Sequence, residues 1–301
     1  MTRLVHQALV YATDAEFLSA TVPFCHDGLA ARERVLAVTT AAKIDLLAHA
    51  LGGAADQVEF IESGDWYDTP GRTLAAYARY LDAYACVRVI GEPVWHGRTP
   101  PEESEWTRYE AALNAVFAAR PVWIVCPYDE RAVPERVVAG ARRTHPHLLP
   151  GGGTSADYVE PGAFACDSDR LPLPPPPPEA AELRFDGDLH LMRRRLRAAA
   201  ERLGLSRDGT DRLLLTVNEV VANAVEHGGG HGSVTIWADG TTVVCDVTDP
   251  GKLETALPGY LPPEPTAERG HGLWVVRQLC ELLEVRSDAS GTRFRLHLTR
   301  D

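Results

Sequence analysis

Glu219 and Asn223 stand four residues apart in a stretch whose apolar positions Leu215, Val217, Val220, Val221, Ala224 and Val225 recur at helical spacing. The run Gly228-Gly229-Gly230 ends that pattern, as glycine past a helix C-terminus does. Residues i and i+4 share one helix face, so the two side chains reach one site. A carboxylate beside a carboxamide suits a metal-bound phosphate: the amide oxygen ligates Mg²⁺ and the carboxylate takes a proton. The same pair also occurs on solvated helix faces, so it does not decide the matter alone.

Two later stretches add to it. Asp249 follows the β-branched run Val243-Val244-Cys245-Asp246-Val247, which places it where a strand runs out into the loop Pro250-Gly251. Arg269-Gly270-His271-Gly272 is a glycine-flanked turn opening into the apolar-periodic helix over 273–279. Backbone amides at such a helix start meet a phosphate closely only where side chains are absent. Ser290-Gly291-Thr292 is a tight turn leading into an alternating strand over 292–298.

The order Asn-Glu-x-x-x-Asn, Asp-x-Gly, Gly-x-Gly opening a helix, and Gly-Thr on a strand resembles the GHKL ATPase superfamily, over roughly the last 120 residues. Within it, the short lid is similar to that of the anti-sigma-factor serine kinases. The resemblance implies roles residue by residue. Glu219 would be the general base and Asn223 the Mg²⁺ ligand. Asp249 would bond the adenine amino group, with Gly251 letting the base approach. Gly270 and Gly272 would lie by the phosphates, Arg269 at the γ-phosphate and Thr292 under the adenine.

Those residues need a scaffold, and the whole chain bounds it. A length of 301 residues suggests two domains, and apolar and charged content is ordinary for globular protein. A net charge of −12 argues against broad nucleic-acid binding, though not against a nucleotide pocket. No apolar run approaches a membrane span, and the start lacks a signal peptide's apolar core, so the expected location is the cytoplasm. The six cysteines lie far apart, form no C-x-x-C pair and read as buried, reduced and inert, ahead of redox or zinc use.

Strands expected over 5–12, 34–39, 58–61, 87–90 and 122–126 alternate with helices over 15–29, 41–51, 71–85, 102–119 and 134–143. Pro23 should kink or split the first of these helices. Such alternation means βαβ units and a doubly wound, mainly parallel sheet. The strand-to-helix turn Thr39-Thr40-Ala41-Ala42-Lys43 stands where a P-loop would be, but lacks the glycines and the Ser or Thr after the lysine. No nucleotide is expected there, and Lys43 reads as a surface charge. Glu92 to His96 and Pro127-Tyr128-Asp129, past two strand ends, could rim a pocket or be ordinary loops. By Phe24…Gly28-Leu29-Ala30-Ala31-Arg32-Glu33-Arg34-Val35-Leu36, Gly91-Glu92-Pro93-Val94-Trp95 and Cys126-Pro127-Tyr128-Asp129, this half resembles the MEDS sensory domain, a degenerate RecA/KaiC-like ATPase relative associated with sensing.

The expected division is therefore a MEDS-like domain over 1–150, a Gly/Pro-rich linker over 151–180, and a GHKL α/β sandwich of the Bergerat type over 181–301. The proline run over 172–178 reads as a stiff polyproline II connector holding the domains apart; a docking peptide is the alternative. In the second domain, Asp239-Gly240 signals a hairpin, and the proline-rich 252–269 segment matches the ATP lid. The cluster Arg193, Arg194, Arg195 and Arg197 is a solvated face or a docking face. His227 and His271 read as a helix-end charge and an exposed side chain, and the chain has no room for a phospho-acceptor helix pair. Together the two halves resemble RsbA-like anti-sigma regulatory proteins. That implies ATP and Mg²⁺ as cofactors and transfer of the γ-phosphate to an anti-sigma-factor antagonist (STAS) protein. The alternative is a non-catalytic module that sequesters a sigma factor or other partner, with ATP structural or absent. The signal at the N-terminal domain, whether small molecule or protein, and a homodimer are left open.

Overall fold

The computed structural model describes residues 3–186, 189–263 and 270–300. The chain falls into two compact units, Met1–Phe164 and Ala165–Asp301.

The first unit alternates strand and helix: β1 (Val5–Tyr11), α1 (Asp14–Ala30), β2 (Arg34–Thr39), α2 (Ala41–Leu51), a 3₁₀ stretch (Gly52–Gln57), β3 (Val58–Glu62), the one-turn α3 (Ser63–Trp66), α4 (Pro70–Asp82), β4 (Val87–Gly91), α5 (Pro100–Val116), β5 (Val122–Asp129), α6 (Glu135–Thr144), β6 (His147–Leu149) and β7 (Gly153–Thr154). The strands form one sheet in the order β3-β2-β4-β5-β1-β6-β7, parallel except for the β6–β7 pair. Val35 to Thr39 on β2 are all buried, as expected of a central strand covered on both faces. Pro23 does not split α1. A proline removes one N–H, whereas the helix is started by a Thr13–Glu16 capping box and seated on the core through Phe17, Thr21, Phe24, Cys25 and Gly28.

The Gly/Pro-rich segment expected as linker over 151–180 carries structure: β7 and α7 (Pro161–Asp169) both lie in it. The second unit then runs β8 (Ala181–Phe185), α8 (Leu189–Arg202), α9 (Arg207–His227), β9 (Gly232–Asp239), β10 (Thr242–Asp249), α10 (Gly272–Leu279), β11 (Leu282–Asp288) and β12 (Gly291–Thr299). Its five strands pair antiparallel in the order β11-β12-β10-β9-β8 and are joined by helices, consistent with the expected GHKL α/β sandwich. Gly240, at φ +56°, supplies the left-handed residue that the tight β9–β10 turn requires. Strand alternation sends Val243, Cys245, Val247, Phe294, Leu296 and Leu298 into one core with Val217, Val220, Val221 and Ala224 of α9.

The other face of that sheet is charged. Arg295 binds Asp246 through two parallel bonds, Nε to Oδ1 at 2.7 Å and Nη2 to Oδ2 at 2.8 Å, and both side chains are buried. The same Arg295 Nη2 donates to the Pro174 carbonyl at 2.8 Å, and Arg286 Nε donates to the Leu171 carbonyl at 2.6 Å. The proline run is thus tied to the second unit rather than a free spacer. Prolines offer no N–H to a partner strand, but their carbonyls stay available, and the Arg295 guanidinium takes the one at Pro174.

Removing Asp246 would strand a buried guanidinium. Asp246→Ala is expected to lower the stability of the second unit by about 3–5 kcal/mol in denaturant unfolding. Asp211→Ala, which breaks the exposed Arg197–Asp211 pair, should cost under about 1 kcal/mol. Equal costs for the two would show that the Arg295–Asp246 pair does not hold the sheet face.

Candidate functional site

The helix α9 is long because its start and its buried face are both well specified. Ser206 caps it by accepting the Gly209 N–H at 3.1 Å, and Val217, Val220, Val221 and Ala224 lie on the core. Leu215 and Val225, counted above with the apolar face, are instead 46% and 38% exposed, because the buried stripe is narrower than the apolar pattern. The flank beside that stripe carries Glu219 and Asn223 into a cavity of about 700 Å³, which Asp249, Gly251, Gly270, Gly272 and Thr292 also line. The structure therefore brings together every sequence-expected site residue that it describes. Arg269 lies outside the described residues, as does the part of the expected lid over 264–269.

Asp249 ends β10 opposite Thr292 of β12 and is only 6% exposed. Its Oδ1 accepts the Gly251 N–H at 2.8 Å. Burial raises its carboxyl above the ordinary carboxylate range, against the opposing pull of the Gly251 N–H and of His231. A directed chain of hydroxyls braces the same corner. Leu253 N–H donates to Ser287 Oγ at 2.9 Å, Ser287 donates to Thr292 Oγ1 at 2.9 Å, and Thr292 donates to the Gly251 carbonyl at 2.8 Å. Thr292 thus fixes the Gly251 backbone and, through it, the Asp249 carboxylate.

Gly228 and Gly251 make the corner possible. A Cβ on Gly251 would lie 2.4 Å from the Gly228 Cα, and one on Gly228 would lie 2.2 Å from Asp249 Oδ1. Gly228 was read above only as a helix stop; its second role depends on a contact between residues far apart in sequence. Opposite this corner, a Cβ on Gly272 would lie 2.6 Å from Glu219 Oε2, so the Glu219 carboxylate rests against the first residue of α10. The helix start carries partial positive charge that favours an anion there.

Residues 252–263 form no helix or strand. Arg277 of α10, which went unremarked in the sequence, holds them: its Nε donates to the Pro258 carbonyl at 2.7 Å and its guanidinium lies 3.8 Å from the Tyr260 ring centroid. A lone arginine within an apolar helix pattern was the available signal. His227 is exposed, 3.7 Å from Glu226, and His271 is exposed at the α10 N-cap. Of the arginine cluster on α8, Arg193 bonds Asn218 and Arg197 bonds Asp211 at 2.7 Å, both at the exposed side of α9.

The corresponding turn of the first unit is filled. The Lys43 side chain is only 12% exposed, its Nζ 2.7 Å from Asp14 and 3.7 Å from Asp129, and it lies over the Tyr11 and Phe17 rings. It is a bracing ammonium rather than the surface charge expected, because three chain segments converge on it. Glu92 accepts from Thr39 Oγ1 and, at 3.4 Å, from Tyr11, and burial raises its carboxyl. Trp95 and Tyr128 are buried, and His96 is exposed. Four of the six cysteines, Cys25, Cys126, Cys245 and Cys280, are buried, and Cys166 is exposed. Burial pushes the Cys25 and Cys280 thiols up to about 12, which makes them poor nucleophiles.

The comparisons with known proteins match a family model to each unit. Residues 184–298 match the histidine kinase-like ATPase domain, and residues 5–146 match MEDS, the methanogen/methylotroph, DcmR sensory domain. An N-terminal MEDS domain is thus joined to a C-terminal histidine kinase-like ATPase domain. No curated protein is similar to the chain. Among solved structures, the RsbU and RsbW domains of Rv1364c from Mycobacterium tuberculosis are similar at 21% identity and TM-score 0.32, over 42% of this chain and 34% of that one. This chain therefore spans about a third of that neighbour's length. The Acinetobacter baumannii histidine kinase AdeS is similar at 11% identity and TM-score 0.25, over 45% and 72% of the two chains. Among the described residues, no helix is long and apolar enough to cross a membrane.

A raised Asp249 carboxyl has a sign that can be tested without ligand. The folded chain holds this proton to higher pH than the unfolded chain, whose carboxyl titrates near about 3.9. Between that value and the raised one, the folded state binds more protons, so stability falls as pH rises. Asp249→Asn keeps an oxygen for the Gly251 N–H and removes the charge. Without nucleotide, its melting midpoint should equal or exceed the parent's at pH 7–8, with the gap closing below about pH 4. A variant that melts lower at neutral pH would overturn this account of the corner.

Proposed function

We propose that the second unit binds Mg-ATP and transfers its γ-phosphate to a serine or threonine hydroxyl of an anti-sigma-factor antagonist (STAS) protein, in the cytoplasm and under control of a signal received by the MEDS domain. The observation that carries this reading is the position of Asp249. It is a nearly buried carboxylate with one oxygen committed to Gly251, set in the wall of a cavity whose facing helix presents Glu219 and Asn223. A buried carboxylate at a pocket wall suits a ligand N–H, and the adenine amino group offers one.

The residues fit the cofactors. The cavity is of the size that small-ligand sites occupy, and Gly228 and Gly251 meet at the corner with no Cβ between them. Asn223 supplies a neutral oxygen suited to Mg²⁺, a hard cation that keeps several waters and phosphate oxygens as its other ligands. When bound, Mg²⁺ supplies charge neutralisation at the phosphates. Glu219 accepts the proton of the incoming hydroxyl as its oxygen bonds to the γ-phosphorus and the bond to the ADP oxygen breaks. Gly270 and Gly272 leave the start of α10 open to the phosphates, and Arg269 is assigned to the γ-phosphate. Thr292 acts by holding the Gly251 backbone under the adenine.

The expected behaviour separates the roles. One ATP per chain should bind, because the turn at Lys43 is filled by side chains. Asp249→Asn should lose roughly tenfold or more in ATP affinity, as a buried donor would lack its acceptor at about 1–3 kcal/mol. Asn223→Ala should weaken Mg-ATP binding. Glu219→Gln should hold ATP within a few fold of the parent but slow single-turnover transfer by roughly 10²–10⁴. Parental transfer by Glu219→Gln would end the kinase mechanism. A parent that transfers nothing to any antagonist, yet retains a sigma factor, would make the chain a sequestering module instead.

A further inference from the structure

Beyond the nucleotide site, we propose that His6, Glu110, Cys126 and His145 form a closed, four-ligand site for a tetrahedral divalent metal of the zinc type inside the first unit. These residues come from β1, α5, β5 and the end of α6. His6 pairs with Ile124, and Ala8 with Cys126, so strand alternation puts His6 and Cys126 on one face of two neighbouring parallel strands. Each of the four side chains is at most 2% exposed, and one ligand atom from each lies within 4.8 Å of the others.

Four of the six ligand-to-ligand spacings match those around a shared metal, and the two N···O ones are long for ion-paired hydrogen bonds. His6 Nε2 lies 3.4 Å from both Cys126 Sγ and Glu110 Oε2, His145 Nε2 lies 3.5 Å from Glu110 Oε2, and Cys126 Sγ lies 3.6 Å from the same oxygen. Bonds of about 2.0–2.3 Å to a tetrahedral Zn²⁺ place neighbouring N, O and S ligands ~3.3–3.6 Å apart. Strong charge-assisted N–H···O bonds would instead draw the atoms to about 2.7–2.9 Å.

The protons point the same way. Asn114 Nδ2 donates to the Thr144 carbonyl at 2.7 Å, which orients its Oδ1 toward His6 Nδ1 at 3.0 Å. His145 Nδ1 meets the Ala141 carbonyl at 2.8 Å. Both imidazoles therefore commit their Nδ1–H outward, and both Nε2 lone pairs turn inward onto a carboxylate; His145 Nε2 is buried and makes no hydrogen bond among the described residues. Protonating both would set two cations side by side, with ring centroids 4.0 Å apart, away from water. Two neutral imidazoles, a carboxylate and a thiolate carry two negative charges and match one dication. On binding, the metal takes the thiolate and the Cys126 proton leaves to solvent. The outward Nδ1–H bonds are the outer partners that ligating histidines use. Mixed N, O and S donors in a closed tetrahedral set favour Zn²⁺ or Co²⁺ over Mg²⁺ or Ca²⁺.

The test uses the full chain, purified without chelator, with metal content measured by mass spectrometry. About one zinc-type ion per chain is expected. After stripping, Co²⁺ titration should give the intense visible bands of a four-coordinate site together with a thiolate-to-cobalt band. Cys126→Ser should abolish that charge-transfer band, while Cys280→Ser, at a buried thiol of the other unit, should leave it unchanged. Asn114→Ala keeps all four ligands and should weaken Co²⁺ affinity by roughly 10–100-fold. If Cys126→Ser fails to fold, the parent's cobalt spectrum and the Asn114→Ala affinity decide. A parent that carries no metal and gives no thiolate band overturns the proposal, as does a band that survives in folded Cys126→Ser.

Discussion

The corner at Asp249 depends on a close approach of backbone to backbone. A carboxylate so nearly removed from water is costly unless its oxygens are occupied, and among the described residues the Gly251 N–H occupies Oδ1. Every other feature of the corner keeps that geometry in place. Gly228 ends α9 against it, Gly251 presses on Gly228, and the Leu253–Ser287–Thr292 relay pins the Gly251 carbonyl. A methyl group on either glycine would collide with backbone or with the carboxylate itself. The site carries strain of an electrostatic kind, raised by burial, that a ligand donor would relieve. Under the proposed function, stability and binding would pull Asp249 in opposite directions.

Much of this was legible in the sequence because the informative residues lie within single elements. Glu219 and Asn223 share a face by spacing alone, and a β-branched run located β10 and a turn before an alternating stretch located β12, and hence the strand-end position of Asp249 and Thr292. What stayed hidden involves partners far apart along the chain. Nothing local tells that Gly228 touches Gly251, or that Arg277 reaches the Pro258 carbonyl and the Tyr260 ring. Leu215 and Val225 misled in the opposite sense. Helical spacing marks which residues can share a face, whereas neighbouring elements decide how wide a stripe is covered, and these two fall outside it.

In the first unit the strand-to-helix turn after β2 is filled by the chain's own side chains. The strand order keeps a helix start after β2 at the carboxyl end of the sheet, the usual place for a phosphate. Thr40 makes no side-chain cap there, and the space beyond is taken by Lys43, gripped by two aspartates and two aromatic rings. The ammonium braces β1, α1 and β5. Sequence reasoning recognised the missing glycines but not the bracing, since Asp14 and Asp129 are distant from Lys43 in the chain.

Polar groups buried in the two units do different work. In the second, Arg295 and Asp246 meet in two short parallel bonds, and the arginine extends to the Pro174 carbonyl, so charge, geometry and the proline run are satisfied together. In the first, the His6–Glu110–Cys126–His145 contacts are longer, and the protons of both rings are committed elsewhere. A sequence that specified only a hydrogen-bonded core would be served by one histidine facing one carboxylate at short range. Two lone pairs, a carboxylate and a thiol converging without enough protons to join them would be a net cost to folding. The cost vanishes when a cation completes the cluster, and a sensory domain that folds around such an ion would couple its own stability to that ion's supply.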